Sequence, residues 1–135
     1  MIVINAENLI LGRMATFAAK QALLGQEVRI INVEKAVVSG AKKKTFADAR
    51  QDRARGTPAK GPFIPRQADR YVRKVIRGML PYKQPKGAEA FKRVLCYAGI
   101  PEEFKEAKTV NLDSAKVDKL PTLKYVTIHD ILSFA

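Results

Sequence analysis

Four cationic side chains in the middle of the chain have the spacing of one helical face. Arg70, Arg73, Lys74 and Arg77 follow one another at i, i+3, i+4 and i+7 in the stretch DRYVRKVIRG (69–78), which predicts a single cationic side. Like charges at these separations repel one another by roughly a few tenths of a kcal/mol per pair. Phosphate groups would neutralise that repulsion, because guanidinium groups grip phosphate oxygens with paired hydrogen bonds. The row therefore indicates a polyanion-binding surface.

The rest of the positive charge is concentrated in the same part of the sequence. The chain of 135 residues carries 25 basic and 13 acidic side chains, a net charge of +12, and residues 41–87 alone hold 14 and 3 of these. Residues 1–40 and 88–135 are close to electrical balance. Because mixed charges serve solubility equally well, the concentration favours a nucleic-acid partner over a merely solvated face. The candidate contact residues are the fourteen cations of this basic segment, residues 41–87: Lys42, Lys43, Lys44, Arg50, Arg53, Arg55, Lys60, Arg66, Arg70, Arg73, Lys74, Arg77, Lys83 and Lys86.

Other chemistry finds little support in the sequence. Gly56 and Gly61 have the glycine spacing of a phosphate-binding loop, but the lysine and the hydroxyl residue that should follow the second glycine are missing. A single histidine, His129, excludes histidine-based metal clusters and weakens Ser-His or Cys-His catalysis. Cys96, the one cysteine, is expected to be an inert, buried thiol. We therefore expect no enzyme, no cofactor, no bound metal and no small-molecule substrate.

Apolar residues and the single cysteine indicate a globular protein of the cytoplasm. No stretch approaches the roughly 18–20 apolar residues of a membrane span, and the first ten residues, MIVINAENLI, lack a signal-peptide pattern. One cysteine cannot form an internal disulfide, which agrees with a reducing compartment. We expect a single cytoplasmic domain over residues 1–135 with no membrane contact.

The beginning of the chain predicts a β-α-β unit. Ile2–Ile4 and Val28–Val33 are apolar, β-branched runs typical of strands buried on both faces. Between them, Gly12–Leu24 is rich in alanine and predicts a crossover helix. A helix that joins two such strands implies parallel pairing with a right-handed connection. Ala36–Val38 is either a third short strand or a turn.

Within the basic segment, the pattern indicates a helix, an irregular loop and a second helix. Residues 42–55 are polar and predict a helix with little apolar surface. Residues 56–66 hold three prolines and two glycines, a density that excludes regular structure. The cationic helix is predicted to begin near Gln67 and to end by Pro81.

Two aromatic residues lie in irregular stretches beside these cations. Phe63 belongs to the loop, and Tyr82 belongs to the stretch 81–87 that follows the cationic helix. An aromatic ring in such a place can stack on an exposed base, or it can anchor its loop to the core. The sequence leaves both possibilities open.

The last third of the chain predicts further short elements. An apolar stripe predicts a helix over Ala88–Ala98, and Thr109–Leu112 and Tyr125–Thr127 are candidate strands. The T-x-x-D motif at 127–130 resembles a capping box that opens a terminal helix, Ile128–Phe134. The alternation of strands and helices indicates an α/β layered domain, from which the basic segment departs as a helix–loop–helix excursion.

Several short motifs also match those of one protein family. They are Arg77-Gly78-Met79-Leu80-Pro81, Lys83, Gly87, Gly99-Ile100-Pro101, INVEKAVVSG (31–40), and Gly61-Pro62 with Arg66. Together they resemble the signature of the large-subunit ribosomal protein thirteen family. The RGMLP-x-K form with a long basic insert is similar to the archaeal and eukaryotic branch of that family.

This resemblance implies both a fold and a function. It implies a three-layer α/β/α domain whose mostly parallel sheet has about four strands. It also implies a structural constituent of the large ribosomal subunit that binds large-subunit rRNA, supports subunit assembly and contacts neighbouring ribosomal proteins. The residues themselves leave two alternatives: a free-standing regulatory RNA-binding module outside the ribosome, and a small nucleotide-using enzyme built on the β-α-β unit.

Overall fold

Five strands, five α-helices and four short 3₁₀ helices make up the secondary structure of residues 1–134, the part of the chain that the computed structural model describes. The strands are β1 (Ile2–Asn5), β2 (Val28–Ile31), β3 (Val37–Ser39), β4 (Val94–Cys96) and β5 (Tyr125–Thr127). The helices are α1 (Leu11–Leu23), α2 (Lys42–Ala54), α3 (Ala68–Gly78), α4 (Pro85–Lys92) and α5 (Ile128–Phe134). The single domain predicted over residues 1–135 includes Ala135, which lies outside the described residues.

Three parallel strands form the larger sheet, in the order β1-β2-β4. Ile2 of β1 pairs with Val28 of β2, which pairs in turn with Val94 of β4. Helix α1 connects β1 to β2, so the predicted β-α-β unit is confirmed together with its parallel pairing. In the central strand, Val28 and Ile30 are fully buried, as apolar runs in parallel sheets generally are.

The other two strands, β3 and β5, form a separate antiparallel pair. Asn32, directly after β2, has a left-handed conformation (φ 55°) and begins a 3₁₀ turn, Val33–Lys35, that separates β2 from β3. Its side-chain amide donates a hydrogen bond to Oδ1 of Asn5 at 3.1 Å, which ties this turn to the end of β1. The mixed α/β class and the mostly parallel pairing are confirmed, and the strands divide into three and two instead of forming one sheet.

The main core lies against one face of the larger sheet. Helix α1 contributes small buried side chains to it, among them Ala15, Ala18 and Ala22. Val72 and Ile76 of α3 belong to the same cluster and are also fully buried. The cationic helix is therefore part of the core that the β-α-β unit builds.

A smaller apolar cluster covers the opposite face of the larger sheet. Val3 of β1 and Ile31 of β2 contact Phe104 there, and the rings of Tyr97 and Phe104 lie 5.6 Å apart between centroids. Val3 and its neighbour Ile4 face opposite sides of the sheet, as side chains in a strand alternate. The chain that follows β4 therefore shields the second face.

Residues 85–98 differ from the prediction of one helix over Ala88–Ala98. Helix α4 already begins at Pro85, a residue type favoured in the first helical turn, and ends at Lys92. Val94–Cys96 then forms β4 beside β2, so Cys96 lies in a strand. The helical prediction holds for residues 88–92 and is wrong for Val94–Cys96, because pairing with the buried central strand overrides the helical spacing of the apolar residues there.

The C-terminal part confirms some predictions and corrects one. The strand predicted over Thr109–Leu112 is wrong, since the segment stays irregular although the Val110 amide donates to the Val3 carbonyl oxygen at 2.9 Å. Strand β5 and helix α5 are confirmed, and the Thr127 hydroxyl accepts a hydrogen bond from the Asp130 amide at 3.3 Å. No helix within residues 1–134 is long and apolar enough to span a membrane.

Candidate nucleic-acid interface

Helix α3 presents cations on the side opposite to its buried side. Val72 and Ile76 are fully buried in the main core and hold the helix in one orientation. Arg70, Lys74 and Arg77 are exposed. The division of this helix into an apolar and a cationic face is confirmed, and three cations of the row face solvent, where phosphate groups can reach them.

Arg73, the fourth member of the row, is partly engaged with the protein itself. Its Nε donates to the Val94 carbonyl oxygen at 3.0 Å, and its Nη2 donates to the Phe91 carbonyl oxygen at 3.4 Å. The guanidinium also lies 4.1 Å from the centroid of the Phe91 ring, a favourable cation–π distance. Arg73 therefore ties α3 to α4 and β4.

Helix α2 begins with the lysine triplet. Lys42, Lys43 and Lys44 are all exposed, and the first turn of the helix holds no acidic residue. The N-terminus of a helix carries a partial positive charge, so cations there are unfavourable for the isolated protein. A bound phosphate would relieve both the mutual repulsion of the lysines and their conflict with the helix dipole.

The same helix rests on α5 and β5 without a fully buried side chain of its own. Tyr71 of α3 lies near its C-terminal half. Burial raises the pKa of the Tyr71 hydroxyl, the nearby Asp52 carboxylate raises that pKa further, and the Arg53 guanidinium opposes them. Helix α2 is therefore packed against the body of the protein through α5 and β5, and none of its residues is fully buried.

The loop between the two helices folds back on itself. Thr57 and Gly61 form an antiparallel bridge, in which the Gly61 amide donates to the Thr57 carbonyl oxygen at 2.8 Å. Gly56 has a positive φ of 83°, and a Cβ atom at this position would collide with the Gly61 carbonyl group. The closed turn is followed by Phe63, a residue that is 73% exposed.

The cations around this loop gather at two shallow hollows. The first hollow, of about 370 Å³, contains Arg53, Arg55 and Arg66 in its lining. The second, of about 480 Å³, is lined by the four cations of the α3 row and by Phe91. Phe63 lines both hollows and stands between the two groups of cations. Seven of the fourteen predicted contact residues are thus brought together around one exposed ring.

The other seven predicted cations are spread over the neighbouring surface. All of them are exposed: Lys42, Lys43, Lys44, Arg50, Lys60, Lys83 and Lys86. Arg55, in the first hollow, is 3.8 Å from the Asp52 carboxylate, and such an exposed pair contributes little to stability. The basic segment therefore forms a broad positive surface with a centre at the two hollows.

Sequence comparison identifies the family of this chain. The sequence model of one protein family, described as "Ribosomal protein L13", matches residues 1–103. The chain belongs to the ribosomal protein L13 family. This is a family of structural ribosomal proteins and not of enzymes, so the absence of a catalytic constellation from the sequence has a simple reason.

Curated members of the L13 family cover nearly the whole chain. The "Large ribosomal subunit protein uL13" of Methanococcoides burtonii is 45% identical over 97% of this chain and 94% of its own length. The protein of the same name from Methanococcus maripaludis is 45% identical over 99% of this chain and 96% of its own length. That of Archaeoglobus fulgidus is 36% identical over 96% of this chain and 83% of its own length. The similarity therefore continues through the C-terminal residues that follow the family match.

Two features of the L13 surface were not predictable from the spacing of residues. Phe91 lies under the Arg73 guanidinium, because α3 and α4 both pack against α1. Arginine also serves inside this fold away from the basic segment: Arg93 Nη1 donates to the Ala22 carbonyl oxygen at 3.0 Å, and Arg29 Nη1 donates to the Arg93 carbonyl oxygen at 2.9 Å. A charged residue type alone therefore does not separate contact residues from structural ones.

Residues that might suggest other chemistry are structural in this L13 family member. Burial raises the pKa of the Cys96 thiol to about 12, although the Arg73 guanidinium opposes this effect. The thiol is therefore protonated and unreactive near neutral pH. Within residues 1–134, no group of three His, Cys, Asp or Glu side chains is placed to hold a metal ion.

Proposed function

We propose that this chain is a structural constituent of the large ribosomal subunit and binds large-subunit rRNA through its basic segment. The observation that carries the proposal is helix α3, whose buried Val72 and Ile76 fix three exposed cations in a row. Relatives named as large ribosomal subunit proteins, which match nearly the whole chain, support the same conclusion. The protein then works in the cytoplasm as part of the ribosome.

The fourteen cations of the basic segment are the proposed rRNA contacts. Each cation that meets a phosphate releases a condensed counterion, so binding must weaken as salt rises. If about 6–10 of them meet phosphates, affinity should fall by about 10³–10⁵ between low and moderately high salt. Arg73 contributes through the N–H groups that its bonds to Val94 and Phe91 leave available.

A salt titration against a large-subunit rRNA fragment tests this proposal. The variant Arg70→Gln/Lys74→Gln/Arg77→Gln removes the three exposed charges of the row and leaves Arg73 in place. We expect its log–log salt slope to be shallower by about 2–3 units than that of the unmodified chain, with about 100-fold weaker binding near 0.1 M salt. The control Lys20→Gln/Lys105→Gln/Lys108→Gln removes the same charge from exposed positions outside the basic segment and should bind nearly normally.

A flat salt response, or equal losses in both triple variants, would contradict rRNA binding by this face. Sedimentation of a cell extract separates the proposed role from a free-standing regulatory module. The protein should travel with large-subunit particles, whereas a pool found mainly outside them would overturn the structural role. Crosslinking within intact particles should join the basic segment to rRNA. It should join other surfaces of the chain to neighbouring ribosomal proteins. Depletion of the protein should slow subunit assembly.

The layering of the domain is part of the same proposal. Helices α1, α3 and α4 lie together at the main core, and the segment that holds Phe104 covers the other face of the larger sheet. This arrangement supports a single domain over residues 1–135 with three layers, in which the third layer is built mostly from the chain that follows β4.

A further inference from the structure

Phe63 is a large apolar side chain in a place where the folded chain gives it little to bury against. The residue is 73% exposed, against 42% for Tyr82 and 40% for Tyr125, and it is the most exposed aromatic residue among residues 1–133. Tyr82 also lies 5.0 Å from the Arg77 guanidinium. Of the two roles that the sequence left open, anchoring the loop to the core does not fit Phe63.

The backbone around Phe63 holds the ring outward. The bridge between Thr57 and Gly61 closes the preceding turn, and the close approach of Gly56 to the Gly61 carbonyl group leaves that turn no room for a larger residue. Prolines on either side, Pro62 and Pro65, restrict the backbone further. The ring is therefore presented by a loop with few conformations to lose on binding.

The charges on the two sides of the ring are of one sign. Arg53, Arg55 and Arg66 line the hollow on one side, and the α3 row lines the hollow on the other. Neither hollow has an aspartate or glutamate in its lining within the described residues. A ligand that fits this arrangement carries a flat, stackable group between two anionic groups.

We propose that Phe63 stacks on an unpaired base of the bound RNA, while the arginine-lined hollows on its two sides hold the backbone phosphates that flank that nucleotide. This inference rests on the proposed function and adds a contact class to it, because phosphate binding alone needs no aromatic ring. A base within a continuous A-form helix has both faces covered by its neighbours, so the nucleotide must come from a loop, bulge or single strand. Stacking on an aromatic side chain typically strengthens binding by about 5- to 150-fold per base.

The test uses the full chain and two RNA probes, a single-stranded A₁₀ oligonucleotide and a ten-base-pair RNA duplex, in binding titrations at one salt concentration. We expect Phe63→Ala to weaken A₁₀ binding by about 5- to 150-fold and to change duplex binding by less than about twofold. Phe63→Leu should resemble Phe63→Ala, since it keeps apolar volume without a ring face. Phe63→Trp should retain A₁₀ binding. Tyr125→Ala removes an exposed ring outside the basic segment and should change neither affinity.

A second readout comes from the composition of the chain. The sequence contains no tryptophan, so Phe63→Trp introduces a unique fluorophore at the proposed contact. Its emission should be quenched by A₁₀, through base stacking, and changed little by the duplex at equal saturation. Melting temperatures should be the same for all Phe63 variants, because the ring is largely exposed in the folded chain.

The outcomes separate this inference from the proposed function. Wild-type A₁₀ affinity in Phe63→Ala, or equal losses on both probes, would overturn stacking. Stacking can fail in this way while the Arg70→Gln/Lys74→Gln/Arg77→Gln variant still loses rRNA affinity. The proposal of rRNA binding then stands without the stacking contact. Quenching of Phe63→Trp by an acidic glutamate–tyrosine copolymer but not by A₁₀ would overturn the inference in favour of a protein occupant.

Discussion

Residues 1–40 and the basic segment are of similar length, but their side chains are used in opposite ways. Eighteen of the first 40 residues are buried, and their net charge is +1. Four of the 47 residues in the basic segment are buried, and their net charge is +11. The first region supplies most of the residues of the main core, whereas the second has little apolar surface to bury and packs against the first. Apolar burial and positive charge are therefore concentrated in different parts of one small chain.

Helix α3 contains the same contrast within eleven residues. Its buried face belongs to the core, and its exposed face belongs to the positive surface. Substitutions on its buried face should consequently lower stability, and substitutions on its exposed face should lower RNA affinity. The contrast between the two regions can therefore be tested within this one helix.

The largest expected effect on stability comes from Ile76→Ala. Ile76 is fully buried, and truncation of such a side chain lowers the free energy of unfolding by about 2–5 kcal/mol, because it removes apolar contacts and leaves a cavity. Chemical denaturation measures the loss, and the control Lys74→Ala, on the exposed face, should change it by less than about 0.5 kcal/mol. A loss in Ile76→Ala below about 1 kcal/mol would show that α3 is not held by the core.

Gly87→Ala should have the next largest effect, although it lies inside the basic segment. A Cβ atom at this position would collide with the Pro81 carbonyl group, so the backbone must shift at a cost near the upper end of about 1–3 kcal/mol. Gly12→Ala in α1 meets no atom within 4 Å and should be neutral or stabilise the protein by up to about 1 kcal/mol. Equal thermal melting of the two variants would rule out tight packing between α4 and the preceding turn.

Arg73→Met tests whether one member of the cationic row stabilises the fold. The substitution removes the guanidinium hydrogen bonds to the Val94 and Phe91 carbonyl oxygens, and we expect the free energy of unfolding to fall by about 1–2 kcal/mol. Lys74→Met, one residue along, should alter stability by less than about 0.5 kcal/mol and reduce the salt slope of rRNA binding by about 0.7–0.9. If both variants changed only RNA binding, Arg73 would have no structural role.

The smallest effect is expected at the cap of α5, the helix on which α2 rests. Thr127→Ala removes the acceptor of the Asp130 amide hydrogen bond, which is long at 3.3 Å, so the loss of stability should lie near the low end of the range for caps, about 0.5 kcal/mol. Thr127→Ser keeps the hydroxyl and should retain most of that stability in urea titrations. A loss of more than about 2 kcal/mol would mean that the side chain does more than cap the helix.

The parts of the fold that could be predicted are those whose signals are local. The β-α-β unit follows from two apolar runs and an alanine-rich stretch between them, and the two faces of α3 follow from the spacing of Val72 and Ile76 against the cations. These patterns repeat with the period of a helix or a strand. They can therefore be recognised within one short segment, whatever the rest of the chain does.

The parts that were missed depend on contacts between distant residues. Val94–Cys96 has the apolar spacing of a helix but becomes a strand because β2 offers it a partner 66 residues earlier in the chain. Short apolar runs of this kind fit either structure until that partner is known. The spacing of Arg73 in the row does not distinguish it from Lys74, and only the docking of α4 shows that its guanidinium is engaged. The fourteen candidate contacts themselves remain predictions for the rRNA experiment.

The attachment of α3 to the core has one more consequence. Arg70 and Arg77 are seven residues apart, which on a helix corresponds to about 10 Å along its axis, and the buried residues between them fix this interval before any RNA arrives. In the proposed complex, the RNA backbone must therefore adjust to this interval. The conformational entropy lost in that complex would then fall mainly on the RNA, because the spacing of the two arginines is set when the protein folds.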